Sequence, residues 1–249
     1  MELILNRPLQ WFECHLHTNE LLLRHLFAHV DGTTTGPRSF TGKIGKSLAG
    51  CEKLPVVSFT PIECTLCEVT NKQHLSTDQM YLIEICEAIN CGHYIESLSK
   101  INPQKVCHSR WLKTANRILR LYLADENPSE ALLTLTTYIV KVYAPMRFKI
   151  KTKPSVIYGA QNLQQTIILS RYLLSHLKDV IDPAIKGNRF FGHPENALIS
   201  MLADDRNHIM ELALRRIRKA RKTNSPMQPQ PLQRIISVSS IYQLLAFVR

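Results

Sequence analysis

Glycine and proline are crowded into one stretch of this chain. Gly32, Gly36, Gly42, Gly45 and Gly50, five of its nine glycines, fall with Pro37, Pro55 and Pro61 inside residues 32–74. Glycine admits positive φ and close backbone approach, while proline removes an amide donor, so neither a long helix nor a central strand fits there. The stretch is expected to be loop-rich, with only short strands such as Val56-Val57-Ser58-Phe59. Ahead of it, residues 9–12 read as a short extended piece. A helix follows and ends at Asp31-Gly32, where glycine can supply a left-handed C-cap.

Beyond residue 75 the pattern becomes helical. Ser76-Thr77-Asp78-Gln79 has the form of a capping box, and Met80, Ile83, Cys86 and Ile89 carry an apolar stripe that ends near Cys91-Gly92. A second helix over 109–124 places Trp111, Ala115, Ile118, Leu119 and Tyr122 on one face and Arg110, Lys113, Arg117 and Arg120 on another. A third begins with Pro128 at its first helical position and runs to Tyr143, where Pro145 is expected to stop it. Residues 146–153 alternate apolar and basic with period two, which predicts a strand or ribbon with one oily and one cationic face. Further helices are expected at 160–173, 175–186, 194–203 and 205–222. The fold class expected is mainly α with a few short strands (α+β). Three regions follow: a loop-rich first segment over 1–74, a helical domain over 75–222, and a flexible tail over 223–249 rich in proline and glutamine.

With 249 residues, 45% of them hydrophobic, the chain can bury a substantial core. Its formal charge of +11 favours polyanionic partners: nucleic acid, an acidic protein or an anionic surface. No secretory signal is legible, because Asn6-Arg7-Pro8 interrupts the place of an apolar core. The uncharged run over 235–248 is shorter than the roughly 20 residues a spanning helix needs. A nuclear or cytoplasmic protein that is neither secreted nor membrane-bound is expected, and its seven cysteines then read as reduced thiols or metal ligands.

Four kinds of chemistry can be weighed against these residues. Gly45-Lys46-Ser47 has the ending of a phosphate-binding loop, but Phe40 occupies the position of the first glycine. Cys64 and Cys67, followed by Cys86 and Cys91, offer four thiols to a zinc ion, although Cys86 falls on an apolar helix stripe where a thiol acts as a small hydrophobe. Cys14 with His17 is half a metal site that Cys107-His108 could complete. No nucleophile elbow or protease signature accompanies the Cys-His pairs. Asp31, Glu63, Asp182, Glu195, Asp204 and Asp205 are too scattered to specify a two-metal centre, and caps or solvated surface account for them. No catalytic residue, cofactor or metal is assigned.

The basic residues are the most coherent set. Arg215, Arg216, Arg218, Lys219, Arg221 and Lys222 place six cations in eight residues at a helix C-terminus. With Arg110, Lys113, Arg117 and Arg120, and with Arg147, Lys149 and Lys151 on the expected ribbon, they form a candidate nucleic-acid surface. The alternative is that each is a solvated face, the last favoured by the helix macrodipole. Trp111 and Tyr122 read as core rather than as stacking platforms.

Cys14-His15-Leu16-His17 and Ser109-Arg110-Trp111-Leu112 carry a resemblance. Cys14-x-x-His17, running into Asn19-Glu20-Leu21-Leu22-Leu23, resembles the element that opens a core helix in hAT-superfamily transposases, here of the kind found in invertebrate genomes. Ser109-Arg110-Trp111 resembles their Thr-Arg-Trp motif, and Cys14, His17, Arg110 and Trp111 are its structural markers. The resemblance implies a remnant of an RNase H-like core with a helical insertion. Family enzymes cut DNA with three acidic metal ligands, two of them ahead of the Cys-x-x-His element. Only Glu2 and Glu13 precede or adjoin it here, and neither sits in a matching motif. The expectation is therefore a transposase-derived protein without a complete catalytic acid set, binding DNA non-specifically through its basic patches. The alternatives are a helical scaffold or adaptor for acidic proteins, with protein partners or self-association, or a fragmentary product without selected function.

Overall fold

The computed structural model describes residues 15–32, 40–66, 69, 72–94, 98, 110–152, 162, 165–166, 168–170, 177–181, 198, 201–202, 204 and 206–223. These residues are mainly helical, and no strand forms among them. The expected extended piece at 9–12, Cys14 and the tail beyond 223 lie outside them.

Helix α1, His15–Asp31, buries Leu22, Leu23, Leu26 and Phe27 along one face and leaves Arg24 and His25 exposed on the other. Gly32 ends it at φ 91°, as its sequence predicts. A short helix α2, Lys43–Ser47, forms within the glycine-rich stretch, and its start is closed by α1 itself. The Asp31 carboxylate accepts the Ile44 amide through Oδ1 at 2.8 Å and the Gly45 amide through Oδ2 at 2.6 Å. Two otherwise unpaired helix-start donors are thereby satisfied by a charged acceptor. The glycines allow that approach: a Cβ on Gly42 would lie 1.7 Å from the Asp31 carbonyl oxygen, and one on Gly45 2.3 Å from Phe40 Cβ.

Helix α3, Thr77–Cys91, begins at the expected Ser76 cap, where Gln79 Oε1 accepts the Ser76 amide at 3.1 Å, and it ends at Gly92, φ 72°. Helix α4, Arg110–Tyr122, packs against α3, α1 and the 3-10 turn Cys51–Lys53. It also packs against α5, Glu130–Tyr138. Ser129, rather than Pro128, starts α5: its hydroxyl accepts the Leu132 amide at 3.3 Å. One core joins α1, α2, α3, α4, α5 and the helical run that follows.

Two expectations about that run need correction. Pro145 does not stop it. A π-turn, Ile139–Tyr143, continues α5 directly into α6, Ala144–Thr152. The Ala144 amide bonds back five residues to the Ile139 carbonyl, and this wider turn shifts the carbonyls that the Pro145 ring would otherwise meet. Residues 146–152 are therefore helix and not a ribbon, and Met146, Arg147 and Phe148 are buried in succession.

The expected strand at Val56-Val57-Ser58-Phe59 is also absent. That segment is part of an extended strap lying across the ends of α3 and α4. Val57 donates its amide to the Leu123 carbonyl (2.9 Å), Ile62 to the Ile89 carbonyl (3.2 Å) and Cys64 to Asn90 Oδ1 (2.8 Å). Tyr122 Oη donates to the Thr60 carbonyl at 2.6 Å. The strap thus serves helix-end groups that lack intrahelical partners.

Gly42→Ala and Gly45→Ala should each lower stability in urea unfolding by about 1–3 kcal/mol, the range for forcing atoms into a packed site. Two substitutions with no measurable loss would show that the closure of α2 by Asp31 is wrongly described.

Candidate nucleic-acid interface

The C-terminal basic cluster lies on helix α7, Asn207–Thr223. Asp204 organises its approach, accepting the Arg206 amide through Oδ1 at 2.9 Å and pairing with the Arg206 guanidinium at 2.8 Å. Ile209 and Ala213 are buried with Leu198 and Met201, and Leu212 and Ile217 pack against them. Arg215, Arg218 and Lys219 are exposed, and Arg216 is half-buried. Positions i, i+3 and i+4 share a helix face, so the three exposed cations form one stripe. Arg221 and Lys222 lie near the end of α7.

Most of the other expected contacts are elsewhere. Arg110 opens α4, but Lys113 is 4% and Arg120 3% exposed, so the cationic stripe expected on that helix does not reach solvent at either position. Arg117 is half-buried. Spacing placed these residues opposite the apolar stripe, yet α4 is packed by neighbours on that side as well. Arg120 donates through Nη2 to the Leu54 carbonyl and lies 5.7 Å from the centre of the Tyr94 ring. Trp111 and Tyr122 are core residues, and Trp111 meets Phe27 edge-on at 5.8 Å.

Arg147, expected on a cationic face, is 3% exposed. It pairs with Glu20 of α1 at 2.8 Å and donates to Tyr143 Oη at 3.1 Å. Asn19 Nδ2 donates to the Tyr143 carbonyl at 3.1 Å, so α1 holds the π-turn by one polar link and α6 by another. The Glu20 link joins residues 127 positions apart, and no local signal announces it. Lys149 bonds Gln165 Oε1, and the exposed Lys151 bonds Gln79 Oε1 at 2.8 Å.

The candidates for other chemistry are dispersed. Gly45-Lys46-Ser47 lies in α2, whose amides already hold Asp31. Among the described residues, no three His, Cys, Asp or Glu side chains come together where a metal could sit. His17 is exposed on α1, while Cys14, Cys67, Cys107 and His108 lie outside the described residues. Cys86 is buried in α3, and burial pushes its thiol well above the usual range. Burial, then Glu87, pushes Cys64 up to about 11. Burial, then Glu52, does the same for Cys51 against Arg117 and Arg120. Metals and alkylating agents need the thiolate, so these sites resist both near neutral pH. Of the scattered acids, Asp31 caps α2, Asp204 pairs with Arg206 and Glu63 is exposed; Asp182, Glu195 and Asp205 lie outside the described residues. No helix among the described residues is long and apolar enough to cross a membrane.

No family model, curated protein or solved structure matches this chain.

Two measurements separate interior from surface. Arg147→Met should cost about 3–5 kcal/mol in urea unfolding, because it breaks the ion pair that the buried Arg147 makes with the half-buried Glu20, whereas Arg218→Met should change stability by less than about 0.5 kcal/mol. Equal losses would refute the placement. In peptide mapping after brief iodoacetamide treatment at pH 8, the exposed Cys91 should react well before Cys51, Cys64 and Cys86. Comparable labelling of Cys86 in the folded protein would contradict its burial.

Proposed function

We propose that this protein binds nucleic acid without strong sequence preference, through the exposed face of α7. One observation carries the reading: Arg215, Arg218 and Lys219 line one side of a helix whose other side is anchored by Ile209 and Ala213. Anchoring orders the cations before a polyanion arrives, and phosphate neutralisation releases condensed counterions. Such contacts position a protein on a duplex and carry no base information of their own.

A transposase-derived ancestry fits the same reading. His17 lies in the helix α1 and Trp111 in the helix α4, so each matching motif runs into helix. That placement supports a helical remnant of an RNase H-like core. In this reading the protein is not an enzyme and acts in the nucleus or cytoplasm.

Retention on random duplex DNA should fall steeply with salt. The triple variant Arg215→Gln, Arg218→Gln, Lys219→Gln should reduce the slope of log Kobs against log salt by about 2–3, close to 0.9 for each lost phosphate contact. Its urea midpoint should match the parent, which excludes unfolding as the cause. Absence of DNA retention at low salt would sink the proposal and leave the reading as a scaffold for acidic proteins.

A further inference from the structure

Thr223 is the last residue of α7 and stands at the end of the densest run of charge in the chain. Four of the five residues before it, Arg218, Lys219, Arg221 and Lys222, are cationic. Positions four apart share a helix face, so 215, 219 and 223 form one row, and Thr223 takes the place that follows the exposed Arg215 and Lys219. Other hydroxyl residues that directly follow a lysine in the described helices are placed differently. Thr114, after Lys113, is 5% exposed. Thr152, after Lys151, donates its hydroxyl to the Phe148 carbonyl at 2.9 Å. Ser47, after Lys46, donates to the Lys43 carbonyl at 3.0 Å, and only two of the five residues before it are cationic.

We propose that Thr223 is a phosphorylation site for a kinase that selects basic residues ahead of its acceptor, and that the added phosphate switches off the cationic face of α7. The switching rests on the nucleic-acid reading above; the modification itself does not. Charge pattern is one way a kinase distinguishes substrates, and cations crowded on the N-terminal side of one hydroxyl match a groove lined by carboxylates. The acceptor ends the helix instead of lying inside it, and the last turn is where a helix is most readily opened. In the transfer, Thr223 Oγ attacks the γ-phosphorus of ATP. An O–P bond forms, the bond to the β,γ-bridging oxygen breaks, ADP leaves and the hydroxyl proton passes to the kinase's base. The product carries a charge of about −1.5 to −2 at neutral pH. A helix C-terminus opposes an anion with about half a unit of negative charge, and four cations within five residues outweigh it. The phosphate is therefore held against its own helix, with Lys219 one turn back as its partner, and it cancels about two of the three exposed charges on the stripe.

The test uses the full chain with Mg²⁺-ATP and two kinases that select basic residues ahead of the acceptor, protein kinases A and C. Peptide mapping by mass spectrometry should place near-stoichiometric phosphate on Thr223 with at least one of them, and Thr223→Ala should remove that phosphopeptide. In ³¹P NMR the second ionisation of the phosphothreonine should fall below its usual value of about 6, and Lys219→Gln should return it towards that value. Phosphorylated protein should be retained on random duplex DNA about tenfold more weakly at low salt, and the slope of log Kobs against log salt should fall by about 2, near 0.9 for each cancelled contact. Thr223→Ala treated with kinase should keep the parent slope. Failure of both kinases to modify Thr223, or a phosphate that titrates normally, overturns the proposal. An unchanged slope after stoichiometric modification overturns the switch. If the unmodified chain does not bind DNA while Thr223 is phosphorylated and titrates low, the nucleic-acid reading fails and the modification site stands.

Discussion

Polar side chains buried in a helix must find their partners inside the protein, and α4 imposes that condition on its surroundings. Lys113, Thr114, Asn116 and Arg120 are as enclosed as Ala115, Ile118 and Leu119. Asn116 Nδ2 donates to the Asp78 carbonyl at 2.9 Å in the first turn of α3, Arg120 to the Leu54 carbonyl, and Tyr122 to the Thr60 carbonyl at 2.6 Å. Sliding α4 by one turn would leave each of these groups unpaired, at about 1–3 kcal/mol apiece. Apolar packing alone tolerates approximate registers; these three bonds do not. They fix α4 against α3 and set the path of the strap between them.

The strap in turn explains why an apolar, β-branched run forms no strand. A strand needs a neighbour that takes its amides and carbonyls in regular alternation. Along this segment the amides of Val57 and Ile62 go to the ends of two different helices, at Leu123 and Ile89, and the Thr60 carbonyl goes to a side chain. The backbone hydrogen bonds are committed to helix termini instead of a neighbouring strand. Val56 and Phe59 still pack against the core, which is all that their hydrophobicity requires.

What the sequence discloses and what it conceals divide by range. The Gln79 arm of the α3 cap and the left-handed glycines at 32 and 92 are decided within three or four residues, so they can be read without a structure. The apolar stripe of α4 was legible for the same reason. The 146–152 segment was not, because alternation was read on the premise that basic residues face water. Arg147 breaks that premise through a partner 127 residues away, and the π-turn removes the stop that Pro145 implied. The candidate interface divides in the same way. The exposed α7 cations follow from helix spacing beside one apolar face, whereas the burial of Lys113 and Arg120 depends on how many helices surround α4, a quantity that no local pattern encodes.

The charges of α7 bear on its own stability. Arg215 stands three residues from Arg218 and four from Lys219, and like charges at those spacings each cost an exposed helix a few tenths of a kcal/mol. The opposing contribution from the helix dipole is of similar size and is confined to the last turn. Burial of Ile209 and Ala213 against Leu198 and Met201 therefore has to hold the helix against its own charge. A polyanion laid along the exposed stripe removes that repulsion while leaving the apolar contacts untouched. On the proposed reading, phosphate binding and helix formation would reinforce each other on this element, and raising the salt would weaken the repulsion and the attraction together.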